Sequence, residues 1–199
     1  MEDIKLKFIQ NNKHLRHFVF NYLSKPWARK KYDQIKSFLK NKDRIIDIGA
    51  GKCAISWLLR QNNFSVIPLD ITNLSVVKNL KPIIYDGKQI PFPDNSFDKA
   101  LLLTVLHHTH HPEQILKEAG RVAKEIIIIE DIYTNNFNKY LTYIMDSLMN
   151  FEFHNHPHNN KKESEWEKIF ARLNMNIKNK KKNKALYLFK QIIYHLKCH

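Results

Sequence analysis

Glycine and aspartate residues with the spacing needed to hold a small ligand follow the first apolar run of the chain. Residues 45–48 read IIDI and residues 49–54 read GAGKCA, which predicts a strand, a glycine turn and the start of a helix. Glycines in such a turn let the backbone approach a ligand closely. The pattern Gly49-x-Gly51-x-x-Ala54 also fits a dinucleotide-binding fingerprint, so the turn alone leaves the ligand class open.

Two aspartates help to distinguish the ligand classes. Asp47 stands just before the turn, where its carboxylate would repel the pyrophosphate of a dinucleotide at short range. S-adenosylmethionine has no phosphate, and its sulfonium and ammonium groups attract an acid; an aspartate that only caps the turn is the alternative. Asp70 ends the second apolar run, 23 residues after Asp47. From that position a carboxylate can accept hydrogen bonds from both ribose hydroxyls of an adenosine, which serves either ligand.

Two further stretches carry a family resemblance. Residues 85–98 read YDGKQIPFPDNSFD and residues 104–108 read TVLHH. Together with the turn at residues 47–51, their order and spacing resemble the class I S-adenosylmethionine-dependent methyltransferases of the small-molecule, type 11-like kind. The resemblance covers about residues 43–131. It implies an enzyme that uses S-adenosylmethionine and releases S-adenosylhomocysteine.

The resemblance implies a set of cofactor-binding residues at strand ends and in the turns that follow them. They are Asp47, Gly49, Gly51, Asp70, Ile71, Asp86, Gly87 and Thr104. It implies that the glycine turn and Asp47 line the methionine end, that Asp70 holds the ribose and that Asp86 reaches the adenine amino group. Asp98 is expected to cap a strand instead. The chain departs from the family at Cys53, where a third glycine is usual, and at residues 121–124, which lack a Pro-Gly-Gly turn.

Histidines follow the fourth apolar run, at the sheet edge where ligands sit in open α/β folds. Methyl transfer needs a general base only when the acceptor atom carries a proton, and histidine suits that task near neutral pH. His107 and His108 are therefore the candidate catalytic bases; the alternative is that they pack or cap the following helix. No acidic or thiol ligand accompanies the later histidines at residues 154–158 at a recognisable spacing, so no metal site is expected.

Short apolar runs alternate with helical patterns between residues 45 and 131, which indicates βαβ units. The predicted fold is α/β: a doubly wound Rossmann-like sheet, mostly parallel with an antiparallel C-terminal strand, and helices on both faces. Strands are predicted at residues 45–48, 65–69, 82–85, 97–105, 126–129, 175–177 and 187–196. Helices are predicted from Ser24, at residues 53–61, 112–122, 136–150 and 165–173. The lysine-rich residues 178–184 are expected to form an exposed hairpin turn.

The 199 residues suit one methyltransferase domain. Its expected parts are an N-terminal helical segment on the substrate side (1–42), a cofactor-binding core (43–131), and substrate-side helices with a C-terminal strand pair (132–199). The two cysteines are expected to be free thiols. No apolar run is long enough to span a membrane, and the acidic start lacks a signal-peptide pattern, so a cytoplasmic location is expected.

The net charge is +14, and the excess lies outside the core. Residues 1–44 carry 12 Lys and Arg against 4 Asp and Glu, and residues 132–199 carry 12 against 5. Such flanks favour acidic partners, or are simply a solvated surface.

Three functions remain open: methylation of a small, fairly apolar acceptor, an RNA methyltransferase that uses the basic flanks, and a non-catalytic relative that binds an adenosyl ligand. Residues 102–104 (LLT) lack the Asn/Asp-Pro-Pro-aromatic turn that grips a base amine, which favours the small acceptor.

Overall fold

The computed structural model describes residues 2–133, 160–185 and 189–198. Within them one seven-stranded sheet has the order β3-β2-β1-β4-β5-β7-β6. The strands are β1 (Arg44–Ile48), β2 (Ser65–Asp70), β3 (Ile83–Ile84), β4 (Phe97–Leu103), β5 (Ala123–Ile132), β6 (Asn176–Ala185) and β7 (Phe189–Lys197). Strands β1 to β5 pair in parallel, whereas β7 runs antiparallel to both β5 and β6. The first five strands follow the doubly wound order, and the predicted fold class is confirmed.

Helices connect and cover these strands. They are α1 (Glu2–Asn11), α2 (Lys13–Phe18), α3 (Lys25–Ile35), α4 (Ala54–Gln61), α5 (Pro112–Val122) and α6 (Glu163–Arg172). A π-helical turn over Val19–Ser24 joins α2 to α3, so the chain is helical without a break from Lys13 to Ile35. The predicted helix at residues 136–150 and the histidines at 154, 156 and 158 lie outside the described residues.

The central strands are apolar without interruption because both faces of the sheet are covered. Successive side chains of a strand point to opposite faces. In β5, Ile126 and Ile128 pack in the cluster that contains α5 and α6, while Ile127 and Ile129 pack in the cluster that contains α3 and α4. All four are fully buried. The two clusters hold the strands rigidly and so fix where their carboxyl ends lie.

The lysine-rich residues 178–184 correct one prediction, because they form most of strand β6 and not a turn. The period of two explains how a strand tolerates so many cations. Lys180 pairs with Glu163 and Glu167 of α6, at 2.8 and 2.7 Å between Nζ and the carboxylate oxygens. Lys181 points the other way and lies 4.5 Å from the ring centroid of Phe38. Glutamates of α6 balance the charge of this strand, and the pattern of residues 178–184 alone does not reveal them.

Candidate cofactor site

The carboxyl ends of β1, β2 and β4 lie side by side at one edge of the sheet. Strand β1 lies between β2 and β4 in the sheet, where the order of the strands reverses. Open α/β sheets bind ligands at this position. Asp47, the next-to-last residue of β1, is 1% exposed, and the Ser56 hydroxyl of α4 donates a 2.5 Å hydrogen bond to its Oδ2. Burial raises the pKa of Asp47 to about 6, against the lowering effects of Ser56 and of the positive charge on Lys31.

The glycine turn places backbone where side chains would not fit. Gly49 has φ +71°, and a Cβ built there would lie 2.7 Å from both γ carbons of Val105. Gly51 has φ +50° with nothing within 4 Å of such a Cβ. Cys53, which replaces the usual third glycine, keeps a left-handed φ of 56° and is fully buried. The cysteine therefore holds the glycine conformation at the cost of backbone strain.

Asp70 ties the end of β2 to the glycine turn. Its Oδ2 accepts a 2.7 Å hydrogen bond from the Gly51 amide, and its Oδ1 accepts one of 2.7 Å from the Ile71 amide and one of 3.3 Å from the Thr72 amide. Burial raises the pKa of Asp70, and these amides oppose the rise. Asp70 is buried, with 7% of its surface exposed, and its carboxylate contacts the turn directly.

The residues expected at the adenine side lie together after β2 and β3. Asp86 is exposed, and its Oδ1 accepts hydrogen bonds of 2.8 and 3.0 Å from the amides of Lys88 and Gln89. These amides hold the pKa of Asp86 below its usual range. Gly87 has φ +75°, and its Cβ position lies 3.2 Å from Cγ2 of Ile71, whose side chain is 63% exposed. An exposed apolar side chain and an exposed carboxylate thus lie at the same end of the sheet.

Lys31 reaches this edge from α3, and sequence reasoning missed it. Its Nζ donates to the Leu103 carbonyl at 2.9 Å and to the Thr104 hydroxyl at 2.8 Å. Thr104 itself has a left-handed φ of 62°. Lys31 is one of several lysines in a basic helix, and it lies 73 residues before Thr104. No local pattern distinguishes it from its neighbours.

The two candidate bases occupy different environments in the 3₁₀ turn Leu106–His108. His107 is fully buried, with its Nδ1 at 2.5 Å from Oε2 of Glu130. The other oxygen of Glu130 accepts from the amides of Val105 and Leu106, at 3.0 and 2.8 Å. His108 is only half-buried, and its ring centroid lies 4.0 Å from that of His107. Burial separates His107 from an acceptor, whereas His108 keeps part of its surface exposed.

Gly49→Ala is expected to destabilise the protein more than Gly51→Ala, by about 1–3 kcal/mol of unfolding free energy. Both variants place an L residue at positive φ, which costs about 1–2 kcal/mol. Only the Gly49 variant also drives a methyl group into Val105. Urea denaturation of both variants measures the difference. Equal losses would show that the loop after β4 does not pack on the turn.

A family model described as a methyltransferase domain matches residues 46–126. Residues 46–126 are thus similar to methyltransferase domains. The predicted resemblance to class I methyltransferases is thereby confirmed. The matched span runs from β1 into β5 and contains the glycine turn, Asp70, Asp86 and both candidate bases.

Several curated relatives have names that refer to quinones. The chain is 28% identical to demethylmenaquinone methyltransferase of Corynebacterium glutamicum (strain R) over 90 residues, which are 43% of this chain and 39% of that protein. It is 29% identical to the ubiquinone/menaquinone biosynthesis C-methyltransferase UbiE of Rickettsia prowazekii over 120 residues, 51% of this chain and 47% of that protein. The chain thus spans less than half of the length of either relative.

A solved structure has a similar fold. Magnesium protoporphyrin IX methyltransferase from Synechocystis PCC 6803, crystallised with S-adenosylhomocysteine, superposes with a TM-score of 0.64 at 14% identity. The superposition covers 100% of both chains. At this identity the likeness concerns the fold alone.

Arg121 and Asp98, which lie in the matched span, have structural roles. The guanidinium of Arg121 donates to the carbonyls of Ile90 and Phe92 and pairs with Asp94, which fixes the PFPD stretch against α5. Asp98 lies near the start of β4, where Lys124 and Arg44 hold its pKa below its usual range. Asp98 is thus far from the carboxyl edge in the strand, in line with the capping role expected for it.

Two properties of the described residues bear on metal and membrane binding. No group of three or more His, Cys, Asp or Glu side chains among them is arranged to hold a metal ion. None of their helices has both the length and the apolarity to cross a bilayer. Cys53 and Cys198 are free thiols, and burial raises the pKa of Cys53 to about 12.

Proposed function

We propose that the protein transfers a methyl group from S-adenosylmethionine to a small, fairly apolar acceptor. The observation that carries the proposal is the hydrogen bond from the Gly51 amide to Asp70, with Asp47 buried next to the same turn. A dinucleotide needs the amides of this turn for its pyrophosphate. Here a carboxylate takes one of those amides, and two negative charges would oppose a phosphate.

The same donor set suits a cationic nucleoside. We propose that Asp70 accepts the ribose hydroxyls, that Asp86, Gly87 and Ile71 surround the adenine, and that the glycine turn and Thr104 lie along the methionine end. Asp47 is too buried to contact the cofactor over a large area. Its negative charge would instead attract the cationic groups of the cofactor from behind the glycine turn. When bound, S-adenosylmethionine supplies a methyl group already activated on a sulfonium. The protein's task is then to hold the acceptor in line and to exclude water.

The acceptor class is supported by the names of the relatives. Demethylmenaquinone and ubiquinone or menaquinone precursors are apolar, and a protoporphyrin is a large apolar ring carrying acids. An acceptor of this kind would enter at the carboxyl edge, next to the N-terminal helices. We also propose that the chain forms one methyltransferase domain and works in the cytoplasm.

We propose His108 as the general base if the acceptor atom carries a proton. It is half-buried at the edge, next to the end of β4. Glu130 fixes the ring of His107, and the ring centroids of His107 and His108 lie 4.0 Å apart. His107 would therefore position His108. The original pair of candidate bases is thus divided into one base and one positioning residue.

Methyl transfer from radiolabelled cofactor into fractionated lysate tests the proposal. We expect label in the organic-soluble small-molecule fraction. Label in RNA would support the RNA methyltransferase alternative, which the positive charge of the basic flanks favours. Binding of S-adenosylhomocysteine without transfer into any fraction would instead identify a non-catalytic relative.

Replacement of Asp70 by alanine is expected to weaken binding of S-adenosylhomocysteine by about 1.5–3 kcal/mol, the range for hydrogen bonds to a charged group. Isothermal titration calorimetry of the two proteins measures the loss. Asp98→Ala is a suitable control, because Asp98 pairs with Arg44 and Lys124 away from the edge. Tight NAD binding by the parent protein, with no heat from S-adenosylhomocysteine, would refute the cofactor assignment.

A further inference from the structure

Large apolar side chains on the N-terminal helices face solvent. They are Phe8, Phe18, Tyr22 and Leu23, with exposed fractions of 63%, 51%, 68% and 41%. The rings of Phe18 and Tyr22 lie 5.2 Å apart and form one aromatic patch. The continuous helical segment Lys13–Ile35 is amphipathic, because its other side buries Val19, Ala28 and Ile35 against the rest of the protein. The outward aromatic residues therefore contribute little to the core.

Positive charge surrounds this patch. Residues 4–32 contain eight Lys and Arg and no Asp or Glu. Lys13, His14, His17 and Arg29 are all exposed on the same helices. By contrast, the lysines of β6 meet glutamates of α6. The acidic residues of these helices, Glu2, Asp3 and Asp33, all lie outside this stretch, so residues 4–32 carry a net positive charge.

The helices lie across the edge that holds the candidate cofactor site. The Gln10 amide nitrogen donates to the carbonyls of Asn73 and Ser75, just after β2. Phe20 packs edge-on against Trp57 of α4, with ring centroids 5.0 Å apart. Lys31 reaches Thr104 at the end of β4. A surface that docks through the outer side of these helices would therefore sit beside the mouth of the site.

We infer that the N-terminal surface, formed by the exposed side chains of residues 7–29, docks on an anionic lipid bilayer. Helices that lie in a membrane interface combine Lys and Arg with Phe, Trp and Leu in this way. Phenylalanine and leucine gain by entering the acyl boundary, while the cations meet lipid phosphates. Single-stranded RNA fits less well, since Leu23 offers nothing to a base and the rings of Phe18 and Tyr22 already pack on each other.

Docking in this way presents the carboxyl edge to the bilayer, so that a membrane-dissolved acceptor could enter without crossing water. This part of the inference rests on the proposed function. The docking itself does not, because it uses residues outside the cofactor site.

Co-sedimentation with lipid vesicles tests the docking, with the full chain and no cofactor. We expect binding to vesicles of phosphatidylcholine mixed with phosphatidylglycerol, and weak binding to phosphatidylcholine alone. The double variant Lys13→Glu/Arg29→Glu should lower the partition coefficient at least about tenfold, because each cation near an anionic surface contributes roughly fivefold. Phe18→Ser/Tyr22→Ser should lower it by a similar factor through lost apolar burial.

Matched controls change the same chemistry elsewhere. Lys117→Glu on α5 reverses an exposed charge, and Ile177→Ser on β6 removes an exposed apolar side chain. Both should bind vesicles like the parent, and circular dichroism should show every variant folded. Parent-like binding by both double variants would overturn the inference. Tight binding of a generic single-stranded RNA without vesicle binding would also overturn it, in favour of a nucleic-acid surface.

Calorimetry with S-adenosylhomocysteine separates this inference from the proposed function. Vesicle binding together with no heat from S-adenosylhomocysteine leaves the docking surface standing and refutes the methyltransferase proposal. Binding of S-adenosylhomocysteine without vesicle binding does the reverse.

Discussion

Replacement of Glu130 by alanine is expected to lower the free energy of unfolding by about 3–5 kcal/mol, the cost of leaving a buried polar network without one partner. Glu130 is fully buried and receives hydrogen bonds from two backbone amides, while its other oxygen meets His107. The variant leaves the amides of Val105 and Leu106 without this acceptor. Since Val105 packs on Gly49, the loss should also loosen the glycine turn.

Denaturant unfolding of three proteins measures this effect. Glu130→Gln keeps one carbonyl oxygen as an acceptor and should fall between the parent and Glu130→Ala. Glu113→Ala removes a glutamate that pairs with Arg172 on the surface, and it should cost at most about 1 kcal/mol. If Glu130→Ala unfolds at the same denaturant concentration as Glu113→Ala, then Glu130 does not hold the loop after β4.

Replacement of His108 by glutamine is expected to reduce turnover by about 10²–10⁴-fold, the usual contribution of general-base catalysis. The acceptor is the one identified by the labelling experiment. Binding of S-adenosylhomocysteine should stay close to that of the parent, because His108 is not assigned to the adenosine. The pH–rate profile should lose the ionisation that a histidine ordinarily contributes near neutral pH.

His107→Gln is the control for this prediction. It should lower stability by disturbing the contact with Glu130, and it should reduce turnover only as far as it displaces His108. Turnover within a few-fold of the parent for His108→Gln would show that catalysis rests on proximity alone, or on another base at this edge.

The strands of the core and the carboxyl edge that follows them could be predicted from sequence because they depend on local patterns. Unbroken runs such as residues 126–129 are typical of strands covered on both faces, and the structure buries them from both sides. The helix at residues 112–122 was predicted with its bounds, since Pro112 opens it and its apolar side chains recur at helical spacing. The glycine turn was also predictable, because positive φ and close approach both restrict the residue type.

The remaining features depend on contacts between distant parts of the chain. Strand β6 pairs with β7, and its lysines form ion pairs with glutamates of α6. The sequence of residues 178–184 alone predicts neither contact. The same holds for Lys31, which meets Thr104 across 73 residues. His107 and His108 look equivalent in sequence, and only the position of Glu130 at the end of β5 separates a buried partner from an accessible one.

The two outer strands of the sheet have a consequence for how the protein behaves at high concentration. An open strand edge can recruit the edge of another molecule and begin aggregation. At one end β3 is only two residues long, so it offers too short a template. At the other end β6 is long but carries Lys178, Lys180, Lys181 and Lys182, and an identical strand brought alongside would have to desolvate and oppose the same cations. Shortness at one edge and charge at the other thus disfavour sheet-to-sheet association through the strands that the structure describes.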